Sequence, residues 1–181
     1  MKKVVVSVMI MTLGLVSLAA AGEPDQEQLK RGAQLYDKWY ALSGEKPKET
    51  HPAYPEAGKK KGDTTWRCKE CHGWDYIGKE GRYARGSHST GIKGVSGVST
   101  WSQAGLEKLL GPKGRHDYTT RLSDDDISAL VLFLRKGLVD SRKAIGDDGQ
   151  GLGSAESGAP LYAEQCASCH ALQGQGLDFK S

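Results

Sequence analysis

Beyond residue 11 the 181-residue chain contains no methionine; the three it has are Met1, Met9 and Met11. A methionine thioether is thereby excluded as a metal ligand anywhere in the body of the chain. Cysteine is scarce as well. There are four, and all sit in two short motifs. Long apolar stretches are missing after residue 21, hydrophobic content is only 38%, and glycine is abundant at 24 residues. That composition suits a loop-rich protein whose small core is helped by a disulfide, a metal or a cofactor. Charge of one sign is lacking too. Lys2 and Lys3 are the only charges in the first 21 residues, so of 25 basic residues 23 remain against 22 acids, a net of +1. A nucleic-acid-binding protein carries a basic footprint that this chain does not have.

The first 21 residues are of another kind. Lys2 and Lys3 precede the apolar run Val4 to Ala20, and Ala19-Ala20-Ala21 abuts the polar "GEPDQEQ". This reads as a secretory signal peptide, 1–21, cleaved after Ala21, which places the protein in the periplasm or outside the cell. Membrane contact follows only if the segment is left uncleaved.

Helical periodicity marks three segments. "PDQEQLKRGAQLYDKWYAL" predicts a helix from about Asp25 to Leu42 with Leu29, Ala33, Tyr36 and Tyr40 as its apolar stripe. A second helix is expected over about Thr100–Leu110, stopped by Gly111-Pro112. In "SDDDISALVLFLRKGL", Ser123 is an N-cap followed by acids in the first turn, and Ile127, Leu130, Val131 and Leu134 form the buried face. The proline-bearing stretch between residues 43 and 65 reads as loop, and "DSRKAIGDDGQGLGSAESGAP" as a Gly/Ser linker. "RGAQLY" and "SGAPLY" form a weak repeat; the second leads directly into a cysteine motif, the first only after about two dozen inserted residues.

The motifs are Cys68-Lys69-Glu70-Cys71-His72 and Cys166-Ala167-Ser168-Cys169-His170. Cys-x-x-Cys alone suits a redox pair, a zinc site or heme attachment; a histidine immediately after the second cysteine selects the last. Two thiols bond to the porphyrin vinyl groups, and the next residue is carried beneath the ring, where a neutral imidazole can bind iron. Secretion agrees with this, because c-type heme is attached outside the bacterial cytoplasm. Two heme c groups per chain are expected, attached covalently at Cys68, Cys71, Cys166 and Cys169, with His72 and His170 as iron ligands.

The stretch 25–138, with "RGAQLY", the first motif and "LSDDDISALVLFL", resembles the class I c-type cytochromes. "TWRCKECHGWDYIGKEGRYARGSH" is similar to a group of multi-heme secreted bacterial cytochromes. The resemblance implies a mostly α architecture: a cytochrome c-like helical heme domain with long loops, then a linker and a partial second cytochrome c domain. It also implies that the first and last helices cross beside the heme. The expected divisions are 1–21, 22–139, 140–158 and 159–181. The family usually takes a distal methionine from the loop before the last helix, and here that loop holds His116 instead. His72 and His116 are therefore expected to ligate the first iron, with His88 in "RGSHSTG" as the alternative distal ligand. His51 reads as an exposed loop residue. Losing the methionine should lower the potential. After His170 only 11 residues remain, fewer than such a domain needs, so the second domain is expected to be incomplete or to borrow a ligand.

The function this implies is a diheme c-type cytochrome passing single electrons between redox partner proteins, not an enzyme. Two alternatives carry different chemistry: a heme enzyme of peroxidase or sulfur-compound oxidoreductase type with an open distal site, and a cytochrome subunit of a larger membrane dehydrogenase or oxidase complex. Lys59, Lys60, Lys61, Arg67, Lys69, Lys79, Arg82 and Arg85, opposed by Asp63, Glu70, Asp75 and Glu80, read as a solvated loop surface that could also steer an acidic partner. Trp66, Trp74 and Tyr76 are expected to wall the heme pocket.

Overall fold

The first helix begins where the side chain of Asp25 accepts hydrogen bonds from the backbone N–H groups of Glu27 and Gln28, satisfying donors that a helix start leaves open. In the computed structural model, which describes residues 25–114, 116–146 and 148–173, seven α-helices follow in chain order. They are α1 (Gln26–Lys38), α2 (Tyr40–Ser43), α3 (Cys68–His72), α4 (Gln103–Leu110), α5 (Asp124–Leu132), α6 (Ala155–Gln165) and α7 (Ala167–His170). Among the described residues β-pairing is confined to two isolated bridges, Gly78 with Lys93 and Ile145 with Gly151, so the architecture is mostly helical. No helix among them is long and apolar enough to cross a membrane. The predicted signal peptide lies outside the described residues.

The expected 25–42 helix is split in two at Trp39, whose backbone keeps right-handed helical angles. Its buried face also differs from the expected stripe. Gly32, Leu35, Tyr36, Trp39 and Tyr40 are buried, while Leu29 and Ala33 lie at the margin. The cause is Gly32. A Cβ there would collide with the Ala129 carbonyl and the Phe133 side chain, so α5 crosses α1 backbone against backbone at that point. An apolarity count gives glycine no weight, and so it misplaced the stripe by part of a turn.

Helix α5 is capped by Ser123, which accepts from the Asp126 N–H and donates back to the Asp126 carboxylate. Arg31 on α1 reaches the same carboxylate at 2.6 Å and ties the two helices at the crossing. Ile127, Leu130, Val131 and Leu134 are all buried as expected. The helix ends in one wider π-type turn, Phe133–Gly137. Leu106 and Leu110 of α4 complete the core.

The long loop before α3 is held by side chains bonding to main chain. Trp66 Nε1 donates to the Glu49 carbonyl, the His51 N–H donates to Thr65, and the Gly62 N–H donates to Thr50. Ser154 caps α6, which starts at Ala155, inside the stretch read as linker. No residue of α6 or α7 is buried.

Candidate functional site

Three aromatic donors hold the backbone around the first motif. Trp39 Nε1 and the Tyr118 hydroxyl both donate to the Trp66 carbonyl, at 2.9 and 3.3 Å, just before α3. The Tyr36 hydroxyl donates to the Gly73 carbonyl at 2.8 Å, just after it. Gly73 leaves the helix at φ 82°, a conformation that favours glycine. Asp37 of α1 receives Arg67 and Lys69, fixing the outer side of the motif. The motif is thus clamped at both ends to the helix that forms the core.

Within it, Cys68 and Cys71 are half-buried. Burial pushes both thiols upward, Cys68 to about 12 and Cys71 to about 11. The His72 imidazole donates from Nδ1 to the Lys93 carbonyl at 2.7 Å. That bond places the proton on Nδ1 and leaves Nε2 as a lone-pair donor. Burial lowers the affinity of His72 for a second proton, and the Lys93 bond opposes this only in part. The ring is therefore a neutral imidazole, the form that binds a metal.

His116 faces it. The two ring centres are 5.9 Å apart, with ring planes at 45°. Two metal–imidazole bonds of about 2 Å each, with the setback of each ring centre from its nitrogen, span about 6 Å. The separation of the ring centres is compatible with a single metal ion held by both imidazoles. His116 is placed by its loop, which folds back on α4: its N–H donates to the Leu109 carbonyl, and the Tyr118 N–H to that of Leu110. Asp117 closes the turn by accepting from the N–H and hydroxyl of Thr119.

His88 is engaged elsewhere. Its Nδ1 lies 3.0 and 3.2 Å from the two carboxylate oxygens of Glu70, and its ring rests 4.9 Å from that of Tyr83. Glu70, inside the first motif, is only 1% exposed, so this pair places a buried carboxylate against an imidazole. Sequence reading gave Glu70 to a solvated surface and missed it. The signal available was an acid between two motif cysteines with a histidine 18 residues on.

His51 is not the exposed loop residue expected. It packs edge-on against Trp66 at 4.4 Å and beside Tyr118 at 6.3 Å, and its Nδ1 accepts from the Ala53 N–H. Burial, and then the Arg121 guanidinium, lower its proton affinity. Of the three aromatics expected to wall a pocket, Trp66 is in the core, Tyr76 packs on Tyr36 and Phe133, and Trp74 is 49% exposed.

The second motif occupies the turn from α6 into α7. Cys166 and Cys169 are exposed and His170 is half-buried. Among the described residues the two cysteine pairs do not meet in a shared metal-ligand cluster.

The chain is similar to the gluconate 2-dehydrogenase cytochrome c subunit of Pantoea cypripedii, 27% identical over 133 residues. The match takes in 57% of this chain and 29% of that protein, so the chain corresponds to less than a third of the relative's length. No family model and no solved structure matches the chain.

Proposed function

We propose that the protein is a secreted, diheme c-type cytochrome that carries single electrons and does not itself catalyse a substrate reaction. One observation carries the reading: a neutral imidazole in a Cys-x-x-Cys-His motif faces a second imidazole across 5.9 Å. Cys68 and Cys71 would hold the heme through thioether bonds, and His72 and His116 would ligate its iron. When bound, the group supplies one-electron chemistry, and bis-histidine ligation places its potential below that of a His/Met site. The chain's own residues set the conditions for it. Lys93 fixes the tautomer and orientation of His72, while Trp39, Tyr118 and Tyr36 keep the attachment helix rigid. Small reorganisation on electron transfer follows from that rigidity. Ligation by both imidazoles would leave no open site for a small molecule, which disfavours the peroxidase-type alternative. At the second motif Cys166, Cys169 and His170 would take the second heme.

The similarity to a cytochrome c subunit supports electron transfer and favours one further reading, service as the cytochrome component of a dehydrogenase assembly. The two are compatible: the dehydrogenase would be the donor.

Intact-mass measurement of the purified protein tests the proposal. It should show two hemes retained through acidic acetone extraction and a chain starting at Gly22. A colourless protein, or pigment lost to the acetone, contradicts it.

A further inference from the structure

The two copies of the repeat share a hydrogen bond that the sequence does not reveal. In the first, the Tyr36 hydroxyl donates to the carbonyl of Gly73, the residue directly after His72. In the second, the Tyr162 hydroxyl donates at 2.9 Å to the carbonyl of Ala171, directly after His170. The partners are 37 residues apart in the first copy and 9 in the second, so a difference of 28 residues leaves the bond in place.

The local backbone is shared as well. The Gly73 N–H donates to the Lys69 carbonyl at 2.9 Å, and the Ala171 N–H to that of Ala167 at 2.8 Å. Both residues after the histidine have positive φ, 82° with ψ 146° and 56° with ψ 164°. Glycine adopts that region freely; alanine holds it only when its surroundings impose it. The surroundings otherwise differ. Tyr36 is 3% exposed beneath α5, whereas α6 has no buried residue, Gly158 faces open space and Leu161 is 57% exposed. Core packing therefore does not explain a geometry common to both. The tyrosine, the carbonyl and the motif are what they have in common.

Resting on the heme reading of both motifs, we propose that Tyr36 and Tyr162 are positioning residues for the iron-binding histidines. Each hydroxyl holds the peptide that follows the histidine and so fixes the turn from which the imidazole projects. In the first copy the task is shared, since Gly73 takes the turn without strain and Lys93 holds the ring. In the second, Tyr162 holds an alanine in a glycine conformation.

The test compares the full holoprotein with Tyr162→Phe, Tyr162→Phe/Ala171→Gly and Tyr36→Phe, read by intact mass, low-temperature electron paramagnetic resonance and acid titration. Wild type should carry two hemes. Tyr162→Phe should shift the signal of the second heme alone and raise the equilibrium for loss of its histidine about fivefold, the size of one net hydrogen bond. Adding Ala171→Gly should restore the wild-type signal, because glycine makes the turn unaided. Tyr36→Phe should perturb the first heme alone. If that buried variant fails to fold, the Tyr162 pair, on a segment without core burial, decides. A Tyr162→Phe signal identical to wild type, or no restoration by Ala171→Gly, overturns the proposal while the two-heme reading stands. A single heme in wild type instead overturns the two-heme reading, and the role of Tyr162 with it.

Discussion

At the scale of single residues, the four histidines of residues 25–138 have four different surroundings. His72 keeps its proton on Nδ1 for Lys93, His116 faces it, His88 meets Glu70, and His51 sits among Trp66 and Tyr118. Two predictions separate them. His88→Ala should leave the low-spin spectrum intact, because the iron keeps both ligands. It should cost about 1–3 kcal/mol in chemical denaturation, because it strips the partner from the buried Glu70 carboxylate. A switch to high spin in that variant would make His88 the distal ligand. His51 gives a pH signature. Its proton affinity is lowered in the folded state, so the unfolded chain binds the extra proton first. Its contribution is fully present above about pH 6.5, the unfolded value, and is lost as pH falls toward the lower folded value. His51→Asn keeps an acceptor for the Ala53 N–H and should flatten the fall in stability as pH drops below about 6.5. An unchanged slope in urea midpoints against pH would refute that. The nearness of His116 to His72 was legible by the place of His116 in a loop that the resemblance marks. The tasks of His51 and His88 were not, because they depend on long-range contacts with Trp66 and Glu70 that no local pattern encodes.

At the scale of elements, the crossing of α1 and α5 places everything else. Tyr36 and Trp39 of α1 clamp α3 only because Gly32 lets α5 close over them. Gly32→Val should therefore destabilise the fold by about 1–3 kcal/mol or more and lower the yield of heme-loaded protein. Arg31→Ala, which removes a partly exposed ion pair at the same crossing, should cost no more than about 1 kcal/mol. Thermal melts that rank the two in the opposite order would contradict the crossing as the fold's constraint. The helices themselves were readable: Ser123 with its three following acids announced α5, and Gly111-Pro112 announced the end of α4. The rotation of the buried face of α1 was not, since it depends on the absence of a side chain at residue 32. The internal order of residues 44–67 was also hidden, because it is built from single side-chain bonds to distant carbonyls and N–H groups.

At the scale of the whole molecule, stability is unevenly distributed. Residues 25–138 contain the core, whereas α6 and α7 bury nothing, and Arg142 to Ala144 are exposed. Brief trypsin treatment of the holoprotein should cut at Arg142 or Lys143 before any site in 25–138, leaving a fragment that retains the first heme. Early cleavage inside α1 or α5 would contradict this division. The near-balanced charge bears on partner choice. With a net of +1 past residue 21, long-range steering is weak, and recognition of a redox partner falls to local surface. The central claim, that imidazoles from His72 and His116 together hold the first iron, is reached most directly by the visible spectrum of oxidised His116→Ala holoprotein beside wild type. The account predicts a low-spin first heme in wild type and high-spin features in the variant, reversed by added imidazole; a variant spectrum indistinguishable from wild type would contradict it.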